Sequence, residues 1–279
     1  MTPRRHRFHA RDGLELAAVE YDGPEHRTPI LCLSGLTRGS GDFERLAARH
    51  AGKRRVIALD HAGHGDSARP DGIARYGIFQ SVNDVLDAMA ALHAPRAVFV
   101  GTSFGGILTM VTAVLRPSCI AGAVLNDIGP ALEPAGLDHV QNFVGRDPAL
   151  PGLEACVAHL KATLPPLSHD EEGWRRFAAG TYAPDDHGTW RPRWDIRIAE
   201  ALRGNAAPDL WGPFRALAHA PVMLVRGGVS ELLSAETAAA MRRARPDMAF
   251  VEVPGCGHCP SLEERAVVPL LDRFLDAVP

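Results

Sequence analysis

The sequence predicts an α/β protein, a mostly parallel sheet flanked by helices, with a helical insertion in its second half. Three observations predict it. Short apolar runs of strand length alternate with stretches of helical spacing, first over residues 30–125 and again from residue 222 onward. That alternation is the mark of parallel strands whose faces are both covered by helices. Between the two blocks, residues 129–213 change character: they hold all four tryptophans and ten of the 22 prolines, with helical patterns and no strong strand. Finally, the apolar run Val98-Phe99-Val100 leads directly into Gly101-Thr102-Ser103-Phe104-Gly105 and then into a helical pattern rich in small residues.

Each element follows in order. Residues 8–21 alternate around Asp12-Gly13, a hairpin signal. Residues 30–33 are a buried strand, residues 43–51 have helical spacing, and residues 55–59 form a second buried strand that ends at Asp60. A helix covers residues 78–92; the strand before Ser103 comes next, and its helix runs to Leu115. Residues 120–125 are again strand. After the insertion come a strand at 222–225, a helix at 235–244, a strand at 249–253 and a closing helix at 262–278. The expected division is therefore a first core segment 1–128, a cap 129–213 and a second core segment 214–279.

Composition excludes several function classes. The chain has 279 residues, 46% hydrophobic and 23% charged, with a formal net charge of -3. That is an ordinary globular balance, and nothing in it suggests a nucleic-acid surface. The basic Arg4-Arg5-His6-Arg7 is followed by no apolar run, so it is not read as a secretory signal. No apolar run is long enough to span a bilayer. Five scattered cysteines, an odd number, suggest reduced thiols and a cytoplasmic address.

The chemistry-bearing residues are few. Gly101-Thr102-Ser103-Phe104-Gly105 reads G-x-S-x-G in a strand–turn–helix context, the setting in which a serine stands clear of the backbone as a nucleophile. The Phe104 amide then opens a helix, where it can donate to an oxyanion. His258, in the small-residue loop after a late strand, is the candidate base. Its place after the serine matches the chain order serine, acid, histidine. The turn Leu33-Ser34-Gly35-Leu36-Thr37 follows an early strand and offers the Leu36 amide as a second oxyanion donor. The third member should be a carboxylate that holds the imidazole tautomer. Glu231 is the acid on the loop after the strand at 222–225, and Asp127, at the end of the preceding strand, is its rival; position favours Glu231. Trp174, Trp190, Trp194 and Trp211 are candidates for the apolar wall of a substrate pocket.

These marks together resemble the α/β-hydrolase family, in its capped esterase, lactonase and carbon–carbon hydrolase group, over nearly the whole chain. They are Leu33-Ser34-Gly35-Leu36 for the oxyanion turn, Asp60-His61-Ala62-Gly63-His64-Gly65-Asp66-Ser67 for a D-x-x-G-x-G-x-S loop, Gly101 to Gly105, and Gly257-His258. The resemblance implies an eight-stranded sheet with a helical cap inserted after the sixth strand. The sequence departs from it twice: Ser34-Gly35 stands where the family usually has His-Gly, and Glu231 where it usually has aspartate. Two other motifs are set aside. Cys256-Gly257-His258-Cys259 looks like a redox C-x-x-C but falls on the base loop, near the C-terminus. Asp60, His61, His64 and Asp66 could suggest a metal, yet the hydrolase loop explains its Asp, Gly and Ser positions without one, and a metal would need a third and fourth ligand that the sequence does not name.

The resulting expectation is a serine hydrolase without cofactor or metal that cleaves a carboxylic ester or lactone of small or medium size through an acyl-enzyme. The partner is that small-molecule ester, lactone or related acyl substrate, with no nucleic acid and no membrane; a homo-oligomer is left open. A carbon–carbon hydrolase of β-diketone or ring-cleavage products would use the same residues. A small-molecule binding protein on the same fold is the reading from another class.

Overall fold

The computed structural model describes residues 2–203 and 208–278. The chain opens with the expected hairpin, β1 (Arg4–His9) and β2 (Glu15–Tyr21), paired antiparallel from Arg4 opposite Glu20 to His9 opposite Glu15. Gly13 turns it at φ +88°, a conformation that costs glycine nothing. Then follow β3 (Ile30–Leu33), α1 (Glu44–His50), β4 (Val56–Asp60), α2 (Ile78–Ala91), β5 (Ala97–Thr102), α3 (Phe104–Leu115) and β6 (Ile120–Asn126). The insertion carries α4 (Pro134–Val144), α5 (Leu153–Thr163), α6 (Glu171–Thr181), β7 (Tyr182–Pro184), β8 (Trp190–Pro192) and α7 (Ile198–Leu202). The chain closes with α8 (Trp211–Ala216), β9 (Val222–Gly227), α9 (Ala235–Ala244), β10 (Ala249–Val253) and α10 (Val268–Ala277).

Eight strands form one sheet in the order β1-β2-β4-β3-β5-β6-β9-β10. β2 pairs antiparallel with β1 and β4; every pair from β4 to β10 is parallel. The insertion leaves after β6, as the resemblance implied. Side chains alternate across the sheet with the period of two that strands impose. Leu31, Leu33, Ile57, Leu59, Phe99 and Leu125 face α2, α3, α8 and α9. Their neighbours Ile30, Cys32, Val56, Ala58, Val98 and Val124 face α1 and α10. Because both faces are covered, the central strands read as unbroken apolar runs.

The D-x-x-G-x-G-x-S loop is held by its own residues. The Asp60 carboxylate accepts from the amides of Ser40 at 2.6 Å and Asp66 at 3.0 Å. Ser67 Oγ donates to the Asp60 carbonyl and accepts from the Ala17 amide. Gly65 sits at φ +53°, and a Cβ there would lie 2.4 Å from Asp60 Oδ2. The cap is pinned to this loop: Asp195 N–H donates to Gly63 O at 2.8 Å and Gly65 N–H to Arg193 O at 2.9 Å. Tyr76 O–H donates to the buried Asp195 carboxylate at 2.6 Å.

Three expectations need correction. The insertion is not purely helical, because β7 and β8 form a small antiparallel sheet; three-residue strands are too short to show a period. The cap does not reach residue 213. Leu210 and Phe214 are buried in the main core, Trp211 packs against it, and α8 lies on α3. The closing helix starts at Val268 rather than 262. Leu262 has φ +65°, which no helix accepts, and Pro269 lacks an amide proton and so suits only a first turn.

Candidate active site

Ser103 sits between the end of β5 and the start of α3 with φ +50° and ψ −113°. The strained turn is possible because the residues two positions to either side, Gly101 and Gly105, carry no side chain. A Cβ on Gly101 would lie 2.5 Å from Gly105 O, and one on Gly105 only 2.0 Å from Leu33 O. The Ser103 amide donates to Asn126 O, which fixes the turn against β6. The hydroxyl is thereby aimed at the loop after β10.

His258 lies on that loop. Gly257 N–H donates to Pro166 O at 2.6 Å, tying the loop to the segment between α5 and α6, and Val229 N–H donates to Cys256 O at 3.0 Å. The His258 Nε2 atom is 2.8 Å from Ser103 Oγ, and Nδ1 is 2.8 Å from Asp127 Oδ2. A carboxylate only accepts, so Nδ1 carries the proton and Nε2 accepts the serine proton. Asp127 is fully buried. It also accepts from Gly227 N–H at 2.7 Å and from Ser230 O–H at 2.7 Å.

The expected acid is thus corrected: Asp127, and not Glu231, meets the histidine. Glu231 is exposed at the rim of the cavity, and its side chain takes no hydrogen bond among the described residues. The physical reason lies in the sheet order. β6 is adjacent to β5, whereas β9 is one strand farther, and each strand adds roughly 4.8 Å. The loop expected to carry the acid supplies instead its hydrogen-bond donors, the Gly227 amide and the Ser230 hydroxyl. Asp127 has φ +53°, a region that aspartate tolerates better than most residues. Ser230 was missed; a serine one residue before the expected acid gave no signal of its own.

The turn after β3 lies beside Ser103: a Cβ on Gly35 would stand 3.5 Å from Ser103 Cβ. The amides of Leu36 and Phe104 donate to no acceptor among the described residues. Two buried histidines hold the turn from below. His61 Nε2–H donates to Ser34 O at 3.2 Å, and His64 bonds the Leu36 carbonyl through Nε2. Burial, with His64 nearby, pushes the His61 pKa down to about 3, so the ring is neutral. The Cys256 and Cys259 thiols are pushed up by burial, away from the thiolate that redox chemistry requires.

A cavity of about 570 Å³ lies over Ser103 and His258, between the core and the cap. Its apolar wall includes Leu36, Val140, Phe143, Leu167, Phe177 and Leu232. None of the four tryptophans lines it, which corrects that expectation. Trp174 and Trp194 are buried in the cap core, where Trp194 Nε1–H donates to Val144 O at 2.8 Å. Trp190 packs in the β7–β8 sheet, and Trp211 on the main core. A tryptophan's area suits a small domain that needs core, which is what the insertion does with it.

Known proteins resemble this chain along most of its length. The model of the alpha/beta hydrolase family matches residues 30–270. A 3-hydroxybutyrate-oligomer hydrolase of Cupriavidus necator is 31% identical over 272 residues, 93% of this chain and 92% of that protein. A 2-(acetamidomethylene)succinate hydrolase of Mesorhizobium japonicum is 29% identical over 89% of this chain and 88% of its own length. Among solved structures, an alpha/beta hydrolase of Novosphingobium aromaticivorans superposes with a TM-score of 0.93 at 35% identity, covering 98% of both chains.

Proposed function

This chain belongs to the alpha/beta hydrolase family, and from that premise we propose that it cleaves a carboxylic ester of small or medium size through an acyl-enzyme on Ser103. The observation that carries this reading is the unbroken chain of hydrogen bonds from Ser103 Oγ through His258 to the buried Asp127, each 2.8 Å long. In the first step Ser103 Oγ attacks the carbonyl carbon while His258 Nε2 takes its proton. Asp127 stabilises the imidazolium that forms and holds its orientation. The Leu36 and Phe104 amides, free of other acceptors, receive the developing oxyanion. His258 then returns the proton to the leaving alcohol, and water, activated by the same imidazole, hydrolyses the acyl-enzyme.

An ester is favoured over a carbon–carbon bond by the relative that acts on 3-hydroxybutyrate oligomers, since hydroxy-acid units join through ester links. A binding role without turnover is disfavoured because such a role needs no hydrogen-bonded nucleophile, base and acid. Five unpaired cysteines support a reducing, cytoplasmic setting, and no helix among the described residues is long and apolar enough to cross a membrane.

The test is a panel of p-nitrophenyl esters together with fluorophosphonate labelling. Ester turnover is expected, with the label on the peptide that carries Ser103. Ser103→Ala is expected to fold normally and lose turnover by several orders of magnitude. Undiminished turnover in that variant would overturn the proposal.

A further inference from the structure

The cap holds a second cavity, about 240 Å³, between α4, α5 and β7. Its polar lining is His139, Asn142, Arg146, His159, Thr163 and Tyr182. No acidic side chain lines it. His139 and Phe143 also line the cavity over Ser103, so the two spaces share a wall. Four of its groups take no hydrogen bond or ion pair among the described residues. The Arg146 guanidinium makes no ion pair or hydrogen bond among the described residues, because the adjacent Asp147 is already engaged by Arg191 at 2.7 Å. The Tyr182 side chain is 1% exposed, and its hydroxyl, which takes no hydrogen bond among the described residues, opens onto this cavity. The rings of His139 and His159 likewise have no polar partner on their nitrogens; the His159 ring meets Tyr182 edge-on, centroids 6.2 Å apart. The Tyr182 phenol stands beside the exposed Arg146 guanidinium, and the carboxylate next to that arginine in the chain, Asp147, is already held by Arg191.

We propose that this cavity is a carboxylate subsite, which receives the free carboxylate at the far end of the substrate's acyl chain while the scissile ester lies at Ser103. The inference rests on the hydrolase reading given above for what occupies Ser103. Arg146 supplies the charge and Tyr182 O–H a hydrogen bond. The acyl end is the one anchored, since the alcohol leaves after the first step and the acyl group stays on the serine. Helix α4 sets the span. Gly136, at its start, packs against the backbone of Glu231 and Leu232 near the catalytic residues. Phe143 lies seven residues on, roughly 10 Å along the axis. Substrates with the carboxylate much nearer the ester would fall short of the subsite.

The experiment uses p-nitrophenyl hemi-esters of dicarboxylic acids, succinate through sebacate, each beside its neutral methyl ester. The wild-type protein is expected to prefer the acid by about tenfold in kcat/KM at one intermediate length, mainly through KM, the size of one charge-assisted hydrogen bond. Arg146→Gln is expected to erase that ratio and Tyr182→Phe to reduce it. Equal turnover of acid and methyl ester at every length, unmoved by Arg146→Gln, overturns the subsite and leaves the hydrolase reading standing. If no ester is cleaved, the hydrolase reading fails instead. The subsite is then judged by titration calorimetry with suberate: binding weakened about tenfold by Arg146→Gln supports it, and absence of binding to the wild-type protein overturns it.

Discussion

Two residues make claims that a variant can read, one on the proposed chemistry and one on stability. Asp127 offers Oδ2 to both His258 Nδ1–H and Ser230 O–H. Asparagine keeps the size but can place an N–H against the imidazole N–H, which favours the wrong tautomer. Asp127→Asn is therefore expected to lower kcat by about 10⁴, the cost of the same change in serine proteases, while Glu231→Gln changes it by no more than a few-fold. Ester kinetics on both variants check this order. His61 makes a separate claim about pH. Its pKa falls from 6.5 in the unfolded chain to about 3 in the fold. Between those values the unfolded chain binds a proton that the folded one refuses, so stability is lost as pH falls below 6.5. His61→Gln lacks that loss. From pH 7.5 to pH 5.5 the stability gap between wild type and variant should narrow by about 1 kcal/mol in urea unfolding.

At the scale of the element, the strand–turn–helix unit of β5 and α3 works because helix and sheet touch at glycine. Gly105 faces the Leu33 carbonyl, where a Cβ would be 2.0 Å away. No side chain can yield there, since the opposing atom is the backbone of β3. Gly105→Ala is expected to cost about 3 kcal/mol or more, or to prevent folding. Gly212, in α8, has nothing within 4 Å of its Cβ direction. Gly212→Ala is expected to be neutral or to stabilise by up to about 1 kcal/mol, because alanine loses less freedom on entering a helix. Thermal unfolding of the two variants separates these outcomes.

The whole molecule is a core and a cap whose seam forms the cavity over Ser103 and His258. Seam residues and cap-core residues should therefore fail differently. Phe177 lines the cavity and carries the Arg38 guanidinium 3.8 Å above its ring. Phe177→Ala is expected to shift the ratio of kcat/KM between short and long acyl esters several-fold. Trp194 is buried in the cap and hydrogen-bonds Val144 O. Trp194→Phe is expected to lower stability by about 1–3 kcal/mol and leave that ratio alone. Acyl-length profiles measured beside chemical denaturation test the distinction.

The sequence by itself determined the fold and singled out Ser103 as the candidate nucleophile. Strand and helix periods, the glycines around Ser103 and the placing of His258 are local signals, written in consecutive residues. The order of strands is not local. It brings β6 next to β5 and so sets Asp127 against His258, although Glu231 sits on the more expected loop. The tryptophans show the same limit: their number marked a distinct segment, but whether an indole faces a cavity or a core depends on which helices meet. The partnerless guanidinium of Arg146 and hydroxyl of Tyr182 lie 36 residues apart in the chain. Only the packing of α4 and α5 against β7 brings them to one cavity. Composition records that such groups exist, and tertiary structure alone decides which of them are left without partners.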